Sequence, residues 1–358
     1  MSMLIEHLIR PEIRGLDAYQ VPDATGLIKL DAMENPYSWP EGLHREWLGA
    51  LQAVHLNRYP DPQGNELQAV LRASMGIPDA MGLLLGNGSD ELIQMLALAV
   101  ARPGCGLLSV EPGFVMYRMI ALFTGRGYIG VPLRAGDFSL DLPALLAAIA
   151  REQPAIVFIA YPNNPTGNLF DADTLVRIIE AAPGLVVIDE AYAPFTDRSF
   201  LPRLGDWPNL LVMRTLSKMG LAGLRLGYLA GPNEILAEID KTRLPYNINV
   251  LTQASAAFAL RHREVLDEQA QCIRAERSRL FAGLSGLDGV LPYPSETNFI
   301  LLRVPAGRAG ELFASLKCGG VLVKSLDGTQ QLLADCLRVT VGRPEENGAF
   351  LAALESAL

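Results

Sequence analysis

With 358 residues, half of them apolar and only 19% charged, the chain is too large for one hydrophobic core and too apolar to be disordered, so two domains sharing a seam are expected. The balance of 30 basic against 39 acidic residues gives a net charge of -9 with no basic run, which argues against nucleic acid as a partner.

The opening stretch, MSMLIEHLIRPEIRGLDAY, carries charges too early for a signal peptide, and no window reaches the roughly 18 uncharged apolar residues of a membrane span. A cytoplasmic protein without a membrane partner is expected. Cys105, Cys272, Cys318 and Cys336 form no CxxC pair and read as reduced core thiols. His7, His44, His55 and His262 lack metal-ligand spacing, so no metal is expected.

Residues 1–40 read as an arm, with a short strand at 27–32 and a turn region, MENPYSWP, at 33–40. Helical periodicity at 43–56 and 66–75 flanks the polar loop NRYPDPQGN. Short apolar runs then follow at 82–85, 106–110, 128–133, 155–160, 185–188, 210–213 and 224–230. Amphipathic stretches at 89–101, 115–123, 142–151 and 171–182 fall between most of them. This alternation predicts an α/β domain over 41–245, built on a mostly parallel sheet covered by helices on both faces. The remainder, 246–358, reads as a smaller α+β domain that packs with the arm. It has one long helix at 250–284, strands at 299–304, 321–324 and 337–341, and a helix at 309–317.

In such sheets ligands sit outside the carboxyl ends of the strands, and four of those ends carry polar clusters. In GNGSDE, from Gly86, a glycine turn opens a helix whose N-H groups at Ser89 and Asp90 suit a phosphate, although for this segment alone an ordinary capped helix start is the better explanation. It is not a dinucleotide fingerprint, because Glu91 stands where the last glycine of GxGxxG belongs. In YPNNPTGN, from Tyr161, two prolines and a glycine fix a rigid turn with the Asn163 and Asn164 amides aimed out of the strand end. In VVIDEAYAPF, Asp189 ends an apolar strand, where a charge needs a cationic or proton-sharing partner, unless it merely caps the next helix. Tyr192 follows three residues later.

The fourth end is MRTLSKMGLAGLRLGYLAG, from Met213. Lys218 can bond an aldehyde, while Thr215, Ser217 and Arg225 can hold an anion. Alone, this segment reads better as a solvent-facing lysine in a glycine-rich loop. Together the four ends suit a phosphorylated pyridine aldehyde. Asp189 meets the ring nitrogen, Asn164 and Tyr192 the phenolic oxygen, Lys218 the aldehyde, and Ser89, Asp90, Thr215, Ser217 and Arg225 the phosphate.

NNPTG, DEAY and TLSK with GLAGLRLGY, in this order, resemble the fold-type-I aminotransferases, which use pyridoxal 5'-phosphate. DAYQ at 17, LDAMENPY at 30, RYPDPQG at 58, GNGSDELI at 86, EPGFVMY at 111 and CLRVTVGRPEEN at 336 are similar to the histidinol-phosphate aminotransferase subfamily, from about residue 10 to the carboxyl end. The resemblance implies that Lys218, Asp189 and Tyr192 carry catalysis, that Asn164 holds the ring oxygen and that Phe114 stacks on the ring face. It implies a homodimer with shared sites, in which Tyr59 reaches the cofactor phosphate of the neighbouring subunit, and it aligns Tyr19 and Arg338 with substrate phosphate contacts. Two departures stand out. Relatives with SKAFGLAGLR have one residue more between lysine and arginine, and Lys324 stands where some have a second arginine. Lys324 is either a helper to Arg338 or a residue on an outward strand face.

The implied reaction is a ping-pong amino transfer between L-histidinol phosphate and 2-oxoglutarate, giving imidazole acetol phosphate and glutamate, in L-histidine biosynthesis. The alternatives are an aromatic aminotransferase or a phospho-amino-acid decarboxylase on the same scaffold, and a cofactor-binding regulator without turnover. Against the last stands the lack of a DNA-binding appendage or basic face.

Overall fold

The computed structural model of the protein describes residues 2–18, 21–100 and 106–358. The arm contributes helices Ser2–Leu8 and Pro11–Arg14, neither foreseen from the sequence, and a two-residue strand, β1 (Ile28–Lys29). The apolar runs that follow become β2 (Gly82–Gly86), β3 (Leu107–Glu111), β4 (Tyr128–Pro132), β5 (Ile156–Ala160), β6 (Leu185–Asp189), β7 (Leu210–Thr215) and β8 (Gly227–Gly231). They form one seven-stranded sheet in the order β2-β8-β7-β6-β5-β3-β4. Every neighbouring pair is parallel except those made by β8, which runs against both β2 and β7.

Helices cover both faces, so the central strands can be apolar throughout, and all five residues of β5 are buried. Alternate side chains of that strand serve opposite layers: Val157 and Ile159 pack with Leu71 and Val212, whereas Ile156 and Phe158 pack with Leu92, Tyr117 and Met213. Short polar caps start the covering helices. Asp141 accepts from the Ala144 N-H and Asp171 from the Thr174 N-H, each filling a donor the first turn leaves open.

The carboxyl-terminal part adds β9 (Leu291–Pro292), β10 (Phe299–Arg303), β11 (Val321–Leu322), β12 (Lys324–Ser325) and β13 (Cys336–Thr340). An antiparallel sheet runs β12-β13-β10-β9, and β11 pairs in parallel with β1 of the arm. The strand expected at 321–324 is therefore divided between two sheets, with Val323 as the hinge. Phe299, Ile300, Leu302, Val339 and Phe350 form the core beneath them, together with Leu30 of the arm. The helix Pro344–Ala357, which supplies Phe350, and the helix Asn233–Asp240 went unread in the sequence.

Two further expectations need correction. The long helix at 250–284 is two, Val250–Arg261 and Arg263–Ser285, broken at His262, whose φ of -114° and ψ of 35° leave the helical range. Neither glycine nor proline marks the break, because it follows from packing. Ala256, Ala257 and Leu260 face the core of the large sheet, while Ala270, Ile273 and Leu280 face that of the small one. The cysteines are not all core residues either. Cys336 is buried, but Cys272 and Cys318 lie on solvent-facing helix positions, and all three are free thiols; Cys105 lies outside the described residues. Among the described residues no helix is long and apolar enough to cross a membrane.

Candidate active site

Parallel pairing brings the sequence-predicted clusters to one edge. Ala160 of β5 is in register with Asp189 of β6, which is in register with Met213 of β7, so the turns bearing Asn164, Asp189 and Lys218 leave side by side. The helix Ser89–Ala99 starts beside them. A Cβ on Gly227 would lie 2.8 Å from the Ser89 nitrogen, so only a bare glycine lets β8 pass this close.

These ends enclose a cavity of about 380 Å³. Asp189 lines it from the end of β6 and Tyr192 from just beyond, Asn164 and Phe114 from the adjoining turns, and Thr215, Ser217, Lys218 and Arg225 from β7 onward; Ser89 and Asp90 close one end. Ala32, Met33 and Glu34 of the arm close the other side. From the sequence none of those three was assigned to the site: Ala32 falls in the expected short strand, and Met33 and Glu34 in the turn region.

Asp189 is buried, and its two oxygens are held differently. The Ala191 N-H donates to Oδ1 at 3.1 Å, which does not cap the following one-turn helix because its N-cap is Tyr192, and the Tyr117 hydroxyl donates to Oδ2 at 2.6 Å. Burial pushes the acid up to about 6, against the pull of the Tyr117 bond. Tyr117 was missed in the sequence. Its signal is its place in EPGFVMY, one helical turn after Phe114.

Lys218 sits in the one-turn helix Ser217–Met219 after β7, and its Nζ donates to the Ala32 carbonyl at 3.4 Å. Desolvation, helped by the nearby Arg338 charge, lowers this amine to about 8. At the other end, Arg225 adopts a left-handed backbone (φ 50°) that turns its guanidinium back toward the helix start. Its Nη1 donates to Ser217 Oγ at 3.4 Å and its Nη2 is 3.6 Å from Asp90 Oδ2, while Thr215 Oγ1 donates to Ser217 Oγ at 3.0 Å.

The two NNPTG asparagines have separate roles. Asn163 points inward, donating to the Pro112 carbonyl at 3.0 Å and to Thr166 Oγ1 at 2.7 Å, and so braces the turn. Asn164 alone faces the cavity, and its Nδ2 donates to Tyr192 Oη at 3.1 Å. Arg338 of β13 reaches the same wall from the small sheet, donating to Asn164 Oδ1 at 2.7 Å and to the Asp31 carbonyl at 3.2 Å. Lys324 is half-buried directly opposite Arg338 in the β12–β13 ladder. Tyr59 lies away from the cavity, 80% exposed and stacked on Tyr246 at 4.4 Å. Tyr19 lies outside the described residues.

Residues 25–354 match the family described as aminotransferase class I and II. The chain belongs to that family. This aminotransferase is 58% identical to histidinol-phosphate aminotransferase 2 of Nitrosococcus oceani, covering 97% of this chain and 96% of that one. It is 55% identical to the histidinol-phosphate aminotransferase of Chromobacterium violaceum, covering 99% of both. Among solved structures, the histidinol-phosphate aminotransferase of Sinorhizobium meliloti in complex with pyridoxal-5'-phosphate superposes with a TM-score of 0.86 at 26% identity, over 98% of this chain and 97% of that one.

Behind the cavity the aminotransferase carries a buried ion pair. Arg214 Nη2 and Nε donate to Glu190 Oε2 at 2.7 and 2.9 Å, and Ser199 Oγ donates to the same carboxylate. The pair ties the end of β6 to that of β7, the two strands from which Asp189 and Lys218 emerge. Each charge has its partner, so neither is left uncompensated in the interior.

Proposed function

We propose that this chain is a histidinol-phosphate aminotransferase that uses pyridoxal 5'-phosphate to exchange an amino group between L-histidinol phosphate and 2-oxoglutarate, as a cytoplasmic homodimer. A large domain over 41–245 would hold the cofactor, with 246–358 and the arm closing over the substrate. The observation that carries the reading is Lys218 and Asp189 lining one cavity in a chain 58% identical to a relative of that name.

The residues present fit the cofactor. No side chain caps the helix Ser89–Ala99, so its first N-H groups are open to an anion, and Arg225 and Ser217 stand beside them. A Cβ on Gly88 would meet Arg225 Nη2 at 2.8 Å, so the guanidinium needs a bare glycine to occupy this place. At the opposite end Asp189 offers a buried carboxylate for a protonated ring nitrogen. When bound, the cofactor supplies an electron sink for a carbanion.

The chain's own groups do the rest. Lys218 would hold the aldehyde, and its free Nζ is a base suited to taking a proton from the amine-bearing carbon of the substrate; an amine lowered to about 8 is partly neutral at physiological pH. Asn164 and Tyr192 would orient the ring through its phenolic oxygen, and Phe114 would cover one ring face. Arg338, aided by Lys324 and Tyr19, is the candidate for gripping the substrate phosphate and, in the second half-reaction, the dicarboxylate.

The test is turnover. Purified protein with pyridoxal 5'-phosphate should show a visible absorbance band that Lys218→Ala abolishes, and histidinol phosphate should bleach it while keto product forms. A band bleached by phenylalanine but not by the phosphate ester would replace the substrate assignment with an aromatic one. A band unaffected by any amine would leave a binding protein without turnover.

A further inference from the structure

Tyr117 is fully buried on the helix Val115–Phe123 and takes no part in the reaction outlined above. Its ring lies flat on Phe158, with centroids 4.8 Å apart and planes at 11°, and meets the edge of Phe114 at 5.4 Å and 86°. Pinned on two sides, it presents its hydroxyl in one direction, to Asp189 Oδ2 at 2.6 Å. The helix therefore delivers two things one turn apart, Phe114 to the cavity wall and a donor to the buried acid. With the Ala191 N-H on Oδ1, both carboxylate oxygens are anchored and the plane of the carboxylate is set.

We propose that Tyr117 is a positioning residue for the reaction: its hydroxyl keeps Asp189 ionised and aimed at the ring nitrogen of the bound cofactor. The inference rests on the proposed cofactor chemistry and deepens it. A buried carboxylate stripped of a donor takes up a proton more readily, and a neutral acid cannot keep a pyridine nitrogen protonated. Burial also drives the Tyr117 phenol well above its ordinary value, so the hydroxyl remains a donor across the working pH range. The other groups facing Asp189 oppose its charge or lie across the cavity. Asp90 and Glu190 both favour its neutral form, Glu190 being paired with Arg214, while Tyr192 and Lys218 share the cavity. Tyr117 and the Ala191 N-H are the two contacts that favour the carboxylate.

The test compares the parent with Tyr117→Phe, which keeps the ring and removes the donor. Affinity for pyridoxal 5'-phosphate is followed by visible absorbance from pH 5 to 8.5. Binding by the parent should weaken on the acid side, and in Tyr117→Phe that midpoint should move up by about one pH unit, with affinity at pH 7 down roughly fivefold to tenfold. The cofactor's own phosphate titrates alike in both, so the difference reports on the acid. A structural role alone would lower thermal stability without moving the midpoint. Equal midpoints and affinities in two folded proteins overturn the inference, whereas a parent that binds no cofactor overturns the underlying function instead. Should Tyr117→Phe not fold, 3-fluorotyrosine placed at position 117, a stronger donor, must move the midpoint down, and an unmoved midpoint is equally decisive against the proposal.

Discussion

Arg338 Nη1 donates to Asn164 Oδ1 at 2.7 Å, so a strand of the small sheet touches the turn that lines the cavity of the large one. Asn164 passes the contact on through its Nδ2 to Tyr192 Oη. The residue proposed to grip the substrate is thereby coupled to the two proposed to hold the ring oxygen. Arg338→Lys keeps the charge but loses the fork that spans Asn164 and the Asp31 carbonyl. KM should rise on the order of tenfold for both histidinol phosphate and 2-oxoglutarate, with a smaller change in kcat. Steady-state kinetics on each substrate decides this, and a rise confined to one of them would mean that the two anions use different pockets.

Asp189 links function to stability with a definite sign. Its folded-state value of about 6 lies above the ordinary 3.8, so between those values the folded chain holds a proton that the unfolded chain has released. The group's contribution is therefore fully present below about pH 4 and is lost as pH rises through 6, a difference on the order of 3 kcal/mol. In the cofactor-free protein, Asp189→Asn should raise the urea midpoint at pH 7, and that gain should vanish toward pH 4. The same change should cut turnover by at least about a hundredfold. A variant that is no more stable than its parent at pH 7 would show that Tyr117 and Ala191 already compensate the buried charge.

Much of this was readable in advance, for a physical reason. Strands buried on both faces must be short apolar runs, so β5, β6 and β7 declared themselves, and parallel pairing then placed Asn164, Asp189 and Lys218 at one edge. Contacts across long separations were not readable. Tyr117 lies 72 positions from Asp189, and its hydroxyl is defined only once Phe158 and Phe114 have fixed the ring. The break at His262 was hidden for a similar reason, since two cores, and no local breaker, decide where the helix turns. The two-residue strand β9, Leu291–Pro292, carries too little periodicity to stand out from a loop.

Gly88 has a φ of 82° and a ψ of 167°, a backbone region essentially reserved for glycine, and it lies against Arg225. Gly88→Ala should strain this turn and push the guanidinium from the helix start. Affinity for pyridoxal 5'-phosphate should fall on the order of tenfold, while affinity for dephosphorylated pyridoxal changes little. Equilibrium titration with both compounds checks the assignment, and equal losses for the two would place the damage elsewhere than the anion end.

Tyr59, a residue proposed for the site, lies away from the cavity in the single chain. It is 80% exposed and stacks on Tyr246, which is itself 41% exposed, with Leu56 and Leu244 more than two-thirds exposed in the same segments. Large apolar side chains open to water in this number mark a surface that another molecule covers. If a second copy covers it, Tyr59 of one subunit completes the cavity holding Lys218 of the other. Tyr59→Ala and Lys218→Ala should each be nearly inactive alone. Dissociated, mixed and reassociated, they should form hybrid dimers in which one of the two sites is intact, and turnover should return above that of either parent. Cavities built from one chain each would give no recovery, because every site would still carry one defect.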